Sequence, residues 1–274
     1  MTDARWSMPT PTGPLEWLPV LDLPEPAPQR RLTVLLRWLL LIPQFLVLAV
    51  LGFVAGLTAI VGWFAALVLG RLPEPVARLL AGYVGYHARV AASAMLLVDR
   101  YPPFALRAPL DHPVQVDLRP GPLNRLAVLF RLVLMIPAAI IESVASTGWL
   151  TASFVIWLVV LVTGRMPRPL FEASAAVLRY SMRLNAYVLM VTSAYPKRLF
   201  GDAEPAAETY SATRPLRIGG PGRLLLVLFL VLGIAAHAAS SATSSDSGNS
   251  GTEDNPVVRT GHLGPVAPAA DPRG

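Results

Sequence analysis

The stretch RLTVLLRWLLLIPQFLVLAVLGFVAGLTAIVGWFAALVLGRLPEP, residues 31–75, decides the fold of this chain. Between Leu32 and Leu69 its only charged residue is Arg37, which indicates a membrane segment rather than part of a soluble core. A straight helix of that length would measure about 57 Å, whereas the hydrocarbon core of a bilayer is about 30 Å thick. One straight span therefore does not suit the segment.

Gly52 and Gly56 interrupt this apolar segment near its middle, and glycine is a typical turn residue. We therefore predict a hairpin of two arms, each of about 17 residues, near the lower limit for a spanning helix. The flanking charges agree with a hairpin, because Arg37 lies before the first arm and Arg71 directly follows the second. Arginine favours the cytoplasmic side, and two crossings place both ends there.

The whole pattern returns 94 positions later without a gap, as a duplicated unit would. The second apolar block, Leu126 to Thr163, has the polar stretch Glu142 to Gly148 near its middle, so we predict a second hairpin there. The matches include residue types that chance rarely pairs: Arg37 with Arg131, Pro43 with Pro137, Trp63 with Trp157, Gly70-Arg71 with Gly164-Arg165, Tyr86 with Tyr180 and Arg89 with Arg183.

A helix is predicted after each hairpin, beginning near Pro75 or Pro169, because proline suits the first helical position. In the second of these helices, the charged residues fall on one stripe of a 3.6-residue period. We expect both helices to lie in the membrane interface with Arg89 and Arg183 among the headgroups. A bundle that shelters these arginines inside the membrane is the alternative.

A third apolar block, Leu224 to Ala239, predicts one further span, and the tail beyond it is rich in serine, glycine and proline. The fold class is therefore an all-α membrane protein: two tandem 94-residue helical repeats, each an apolar hairpin plus an amphipathic interfacial helix, followed by one C-terminal transmembrane helix. The predicted parts are a disordered proline-rich N-terminus (1–17), repeat 1 (18–110), repeat 2 (111–204), a linker (205–222), the C-terminal transmembrane helix (223–239) and a disordered tail (240–274).

These motifs resemble the domain-of-unknown-function 4389 family of bacterial membrane proteins over about residues 18 to 200. The resemblance rests on Arg37 to Pro43, Trp63, Gly70-Arg71-x-Pro73, Tyr86-x-x-Arg89 and Asp99 to Phe104, and on the matching motifs of the second copy. The second copy departs from the pattern, because Ser193-Ala194 stand where the first has Asp99-Arg100. The resemblance implies a membrane protein with no assigned reaction, and it supplies no catalytic residues.

The composition excludes several classes of function. Hydrophobic residues make up 54% of the 274, charged residues 15%, and the formal net charge is +6. Cysteine is absent, which excludes disulfides, thiolate catalysis and cysteine-bound metals. The four histidines have no ligand spacing, and the sequence holds no nucleophile elbow, phosphate loop or dinucleotide fingerprint. We predict no enzyme activity, no cofactor and no metal site.

Six paired arginines are the candidate binding residues, because a guanidinium group can bind two phosphate oxygens of a lipid headgroup. Equally, they could be topology-setting charges that reach the membrane surface. Membrane lipids are the expected partners, with a membrane-protein partner or a homo-oligomer possible and nucleic acid excluded. The six are Arg37, Arg71, Arg89, Arg131, Arg165 and Arg183.

The sequence thus predicts a non-enzymatic structural or adaptor protein of the cytoplasmic membrane, with its N-terminus in the cytoplasm and its C-terminal tail outside. The alternative is a transporter or channel component, in which two parallel repeats enclose a pathway about the membrane normal. Glu142, the one acid in the two long blocks, would then be an ion ligand, although a solvated turn residue is the simpler interpretation. A membrane enzyme using Asp99 or His87 ranks third.

Overall fold

A computed structural model describes residues 18–202 and 211–246, with side chains up to residue 241. The predicted N-terminal segment 1–17 and the tail beyond residue 246 lie outside the described residues. Helices dominate what is described, as predicted. The elements are β1 (Val20–Asp22), α1 (Arg31–Leu35), α2 (Arg37–Leu69), α3 (Glu74–Ala94), β2 (Gln115–Asp117), α4 (Arg125–Leu129), α5 (Arg131–Leu134), α6 (Ile136–Thr163), α7 (Arg168–Val188) and α8 (Gly220–Asp246).

The predicted hairpins are wrong. Helix α2 continues from Arg37 to Leu69, and α6 continues from Ile136 to Thr163, through the residues predicted to bend. Inside an apolar segment a bend leaves backbone N–H and C=O groups without partners, whereas a continuous helix satisfies them within the segment. Glu142 accordingly lies within α6, half-buried, instead of in a solvated turn.

The glycines in the long helices permit close packing rather than turns. A Cβ at Gly52 would lie 3.1 Å from the Tyr83 hydroxyl of α3. A Cβ at Gly148 would lie only 1.6 Å from the carbonyl oxygen of Phe229 in α8, and one at Gly233 would lie 1.9 Å from that of Val144. These positions must be glycine because neighbouring helices approach there.

Three segments are long and apolar enough to cross a membrane, namely Arg37–Leu69, Arg131–Thr163 and Gly220–Ser241. They support a membrane protein, but with three candidate spans in the described residues instead of five. The C-terminal span was predicted at 223–239, and α8 contains it. Helix α8 ends only at Asp246, so residues 240–246 are helical where we predicted disorder.

Each long helix reverses into the next helix at the Gly-Arg-x-Pro motif. Gly70 and Gly164 both end their helices with a φ of 70°, the left-handed conformation that glycine adopts readily. Pro75 and Pro169 then stand in the first turn of α3 and α7, as predicted. The long and following helices therefore form an antiparallel pair in each copy.

Helices α3 and α7 form the core of the molecule, so the prediction that they lie in the interface is wrong. They pack against each other as well as against α2 and α6. Most of α7 from Phe171 to Tyr187 is buried, and so is most of α3 from Leu80 to Ser93. Alanines at 77, 88, 92, 173, 175 and 176 leave room for this packing, and all six are buried.

The two copies run in opposite directions. The indole nitrogen of Trp157 donates to the Val34 carbonyl at 2.9 Å, and that of Trp63 donates to the Val128 carbonyl at 3.0 Å. The start of each long helix thus lies beside the end of the other. Because the pseudo-two-fold axis that relates the copies must reverse the long helices, it is perpendicular to them. The transporter alternative, with its repeats related about the membrane normal, stays a prediction.

Backbone hydrogen bonds also join the start of each copy to the end of the long helix of the other copy. The Gln29 N–H donates to the Gly164 carbonyl at 2.8 Å, and the Leu123 N–H donates to the Gly70 carbonyl at 2.9 Å. The strands β1 and β2 pair antiparallel, with Leu21 opposite Val116. Each repeat therefore supplies hydrogen-bond partners to the other, and the two fold together as one body.

The elements form three layers. The apolar layer consists of α1, α2 and α4–α6, the middle layer is α3 and α7, and the polar layer is made of the linkers, residues 99–124 and the described parts of 193–219. In α3, Val76 and Tyr83 approach α2, whereas Gly82 and Arg89 approach the linker residue Leu106. These two sets lie about 120° apart around a helix of 3.6 residues per turn, so α3 contacts α2 on one side and the linker on another.

Candidate functional site

The structure divides the six candidate arginines into two groups. Arg71 and Arg165 are exposed at the ends of α2 and α6. The other four, Arg37, Arg89, Arg131 and Arg183, are each less than 5% exposed. All four donate hydrogen bonds to acceptors within the protein. Contact with lipid headgroups stays a prediction for the two exposed arginines, Arg71 and Arg165.

Arg37 begins α2 and pairs with Asp99, in the loop that follows α3. Its Nη2 lies 2.9 Å from Oδ1 of Asp99, and its Nη1 donates to the Asp99 carbonyl at 3.3 Å. Nη2 also donates to the Gln29 side chain at 3.3 Å, next to the bond that joins Gln29 to the other copy. A buried cation is stable only when it is paired or hydrogen-bonded in this way. The pair therefore fixes the start of α2 to the loop that follows α3.

Arg131 holds the matching position in the second copy, where Ser193 replaces the carboxylate. Its Nη2 donates to the Thr192 carbonyl, and the guanidinium carbon lies 4.0 Å from the centre of the Tyr187 ring. A cation over an aromatic face at this distance is attracted by the ring quadrupole. An aromatic ring and a carbonyl thus compensate the charge of Arg131, as a carboxylate compensates that of Arg37.

Arg89 and Arg183 fasten the linkers to the middle layer. Arg183 donates to the Pro19 carbonyl and to the Lys197 carbonyl, both at 3.0 Å. Burial, and after it the charge of Arg179, lowers the pKa of Arg183 to about 10, so the group stays charged at neutral pH. Arg89 donates through Nη2 to the carbonyls of Ala105 and Leu106.

Five exposed arginines lie at the two ends of the apolar layer, and each end has arginines of both copies because the copies are antiparallel. The first end cluster comprises Arg30, Arg31 and Arg165. The second end cluster comprises Arg71 and Arg125. In each cluster both copies contribute, since Gln29 is bonded to Gly164 and Leu123 to Gly70. This arrangement is what the candidate lipid contacts require.

Two buried polar residues were missed by the sequence analysis. Gln44 is fully buried in α2, donates to the Pro102 carbonyl at 2.7 Å and accepts from the Tyr86 hydroxyl. Arg179, 2% exposed, pairs with Asp202 at 2.7 Å. A lone glutamine in an otherwise apolar stretch was the available signal for the first. The partner of Arg179 is distant in sequence and carries no such signal.

Among the described residues, no group of three or more histidine, aspartate or glutamate side chains could hold a metal ion. The chemistry that the site does offer is hydrogen-bond donation by the guanidinium groups of arginine. Buried guanidinium groups join the layers, and exposed ones are free of the core at both ends of the apolar layer. The arrangement can therefore bind anions at the edges of an apolar surface.

Comparison with known proteins identifies the repeated unit. No curated protein and no solved structure matches the chain. The model of the family described as "Domain of unknown function (DUF4389)" matches residues 31–105 and 125–199, at the offset of the repeat. The two matches cover more than half of the chain and contain α1–α3 and α4–α7. The chain therefore belongs to the DUF4389 family and carries two tandem copies of its domain.

Proposed function

We propose that this protein is a non-enzymatic membrane scaffold whose apolar layer lies within one leaflet, parallel to the membrane plane. In this arrangement the middle layer and the polar layer stand at the cytoplasmic surface. They are available there to a membrane-protein partner or to a second copy of the chain. The observation that carries the proposal is the antiparallel exchange of ends between the two copies.

The length of the long helices supports an in-plane layer. Helix α2 has 33 residues, so at a rise of about 1.5 Å per residue it is about 50 Å long. Perpendicular to a bilayer, it would exceed the hydrocarbon core, which is about 30 Å thick, or need a tilt beyond the usual range. Lying within a leaflet, the helix meets no such mismatch.

The positions of the end clusters support the same orientation. If the long helices crossed the bilayer, one end cluster would face the cytoplasm and the other the outside. Arginine-rich ends favour the cytoplasmic side, so a crossing orientation would place one cluster unfavourably. An in-plane layer puts both clusters at the cytoplasmic surface, where their guanidinium groups meet anionic headgroups.

The polar layer gives a third, independent argument. The linker 99–124 runs along α3 from its C-terminal end to its N-terminal end, with Arg100, Arg107 and Asp111 exposed. In a crossing orientation this irregular, charged backbone would pass through the hydrocarbon core, which lipid-exposed loops do not do. In the in-plane orientation it lies in water.

The exposed face of α2 is suited to lipid. Leu46, Phe53 and Val68 are each about 70% exposed, at 69%, 70% and 71%. In water such a continuous apolar surface would be a liability, whereas in a leaflet it is the surface that anchors the protein. We assign the single crossing to α8, which places the N-terminus in the cytoplasm and the C-terminal tail outside.

Reconstitution with defined lipids tests the role of the end clusters. In nanodiscs of phosphatidylcholine alone, or with added phosphatidylglycerol, we expect anionic lipid to raise the melting temperature of the protein. The double variant R71Q/R165Q should lose part of this rise, because each end cluster then lacks one exposed guanidinium group. The control R217Q removes an exposed arginine of the polar layer and should keep the rise. An equal rise in all three proteins would contradict headgroup binding by the end clusters.

A further inference from the structure

The two copies differ at the face of the middle layer that meets the linker. In the second copy Arg179 and Asp202 form a buried ion pair at 2.7 Å. At the same offset the first copy has Gly85 and Ala108. Both members of the pair have been replaced by residues without a polar side chain. The space beside Gly85 therefore holds no ion pair in the first copy, and the nearest side chain to a Cβ built on Gly85 is that of Arg89, whose Nη1 would lie 3.4 Å away.

That space is a cleft of about 680 Å³ between α3 and the linker. Ala77, Ala81, Gly82 and Gly85 of α3 form part of its lining, and Leu118 lines it from the linker. In the second copy the position of Ala77 holds Phe171, which is 2% exposed. The volume is in the range typical of small-molecule sites, and the small residues of α3 make room for it.

The charged groups around the cleft are mostly cationic. Arg78, Arg89 and Arg107 line it, against the one carboxylate of Glu74. Glu74 pairs with Arg78 at 3.4 Å on the exposed side. The cleft therefore carries a net positive charge in a partly enclosed, partly apolar space.

Arg89 is the second observation that points to a ligand. It is 2% exposed, and its only hydrogen-bond acceptors among the described residues are the Ala105 and Leu106 carbonyls. Its Nε is buried without a hydrogen-bond partner, as are those of Arg37 and Arg131, but of these three arginines it is Arg89 that lines the cleft. No carboxylate of the described residues forms an ion pair with Arg89, whereas Asp99 pairs with Arg37. A buried guanidinium with an unused donor is suited to an anion that enters the cleft.

We propose that the cleft binds a small organic anion, whose phosphate or carboxylate oxygens accept from Arg78, Arg89 and Arg107. The apolar part of the ligand lies on the alanine and glycine residues of α3. The oxyanion chemistry is shared by a lipid-derived alkyl phosphate and by a soluble phosphate. This proposal rests on the polar layer and is independent of how the apolar layer sits in the membrane.

Calorimetric titration of the full chain in phosphatidylcholine nanodiscs tests the site with hexyl phosphate as the probe. We expect saturable binding of hexyl phosphate and none of hexyltrimethylammonium. The variant G85R/A108D rebuilds the ion pair of the second copy inside the cleft. It should weaken binding at least tenfold, because the loss of one charge-assisted hydrogen bond to the ligand already corresponds to about a tenfold change in affinity. The control R217Q should bind as the unmodified chain does.

A surface variant keeps the test decisive if G85R/A108D fails to fold. R78Q/R107Q changes only exposed side chains and should weaken binding by about tenfold for each guanidinium lost. Displacement of the probe by inorganic phosphate would identify a soluble anion as the ligand class, and resistance to it would identify an amphiphile. Both results support the cleft. No binding by the unmodified chain, or equal binding by the folded variants, would overturn the proposal.

Discussion

The two copies hold the same arginine in two different ways. Arg37 of the first copy has a carboxylate, Asp99, at 2.9 Å, whereas Arg131 of the second has the Tyr187 ring at 4.0 Å. Each copy has serine where the other has the group that compensates the charge. Ser93 stands where the second copy has Tyr187, and Ser193 stands where the first has Asp99. The comparison teaches that the fold needs a buried cation at this place, while the group that compensates its charge can change.

A second difference concerns the last helix, whose close backbone contact, within the described part of the chain, is with α6 of the second copy. Gly148 of the second copy admits the Phe229 backbone of α8, whereas Val54 stands at the same offset in the first copy and is 39% exposed. The pseudo-symmetry therefore ends where α8 begins. The asymmetry shows how a duplicated unit acquires a further helix without a change of its own fold.

The largest effect is expected at this contact. Leucine at position 148 would place a Cβ 1.6 Å from the Phe229 carbonyl oxygen, and neither backbone can yield cheaply. We expect G148L to destabilise the folded protein by about 3 kcal/mol or more. Chemical denaturation in detergent would measure the loss. As the control, G56L adds the same side chain where a Cβ meets nothing within 4 Å, and a comparable loss there would contradict the packing argument.

The arginine positions are expected to give the next largest effect, and an unequal one. R37M leaves Asp99 without its partner, at a position that is 30% exposed, so we expect a loss of about 2–3 kcal/mol. R131M strands no carboxylate and should cost about 1–2 kcal/mol, the value of a cation–aromatic contact and a hydrogen bond.

The same denaturation experiment compares the two variants, and a double-mutant cycle isolates the ion pair. D99N combined with R37M should recover part of the loss, because no buried charge is then left unpaired. If R131M proved more damaging than R37M, the compensation by Asp99 would not be the reason for the difference.

The tryptophan contacts between the copies should give the smallest effect, and an equal one. Both W63F and W157F remove one indole hydrogen bond to a carbonyl of the other copy and keep most of the apolar contact. We expect each to cost about 1 kcal/mol in the free energy of unfolding. W38F, at a residue that is 45% exposed, is the matched control and should be neutral. Clearly unequal losses would indicate that the two ends are not equivalent.

Much of the fold could be predicted from the sequence. The fixed offset revealed the duplication, and Pro75 and Pro169 located the start of the helix that follows each long helix. Proline at position 75 suits the first turn of a helix and little else in that setting, so this prediction is confirmed.

The bends and the orientation of the copies could not be predicted. Glycine suits both a turn and a close helix contact, and only the presence of Tyr83 or Phe229 opposite decides between them. A gapless duplication carries no information on relative direction. Whether an arginine such as Arg89 faces lipid or a protein carbonyl depends on a linker that contacts it from outside the helix.

The side of the membrane on which both ends of the apolar layer lie tests the central claim most directly. The chain has no cysteine, so single cysteines at Arg30, Arg71, Arg125 and Arg165 can be labelled without background by a membrane-impermeant maleimide in oriented vesicles. An in-plane layer predicts that all four react from the cytoplasmic side. Reaction of positions 30 and 165 from one side and of positions 71 and 125 from the other would contradict it.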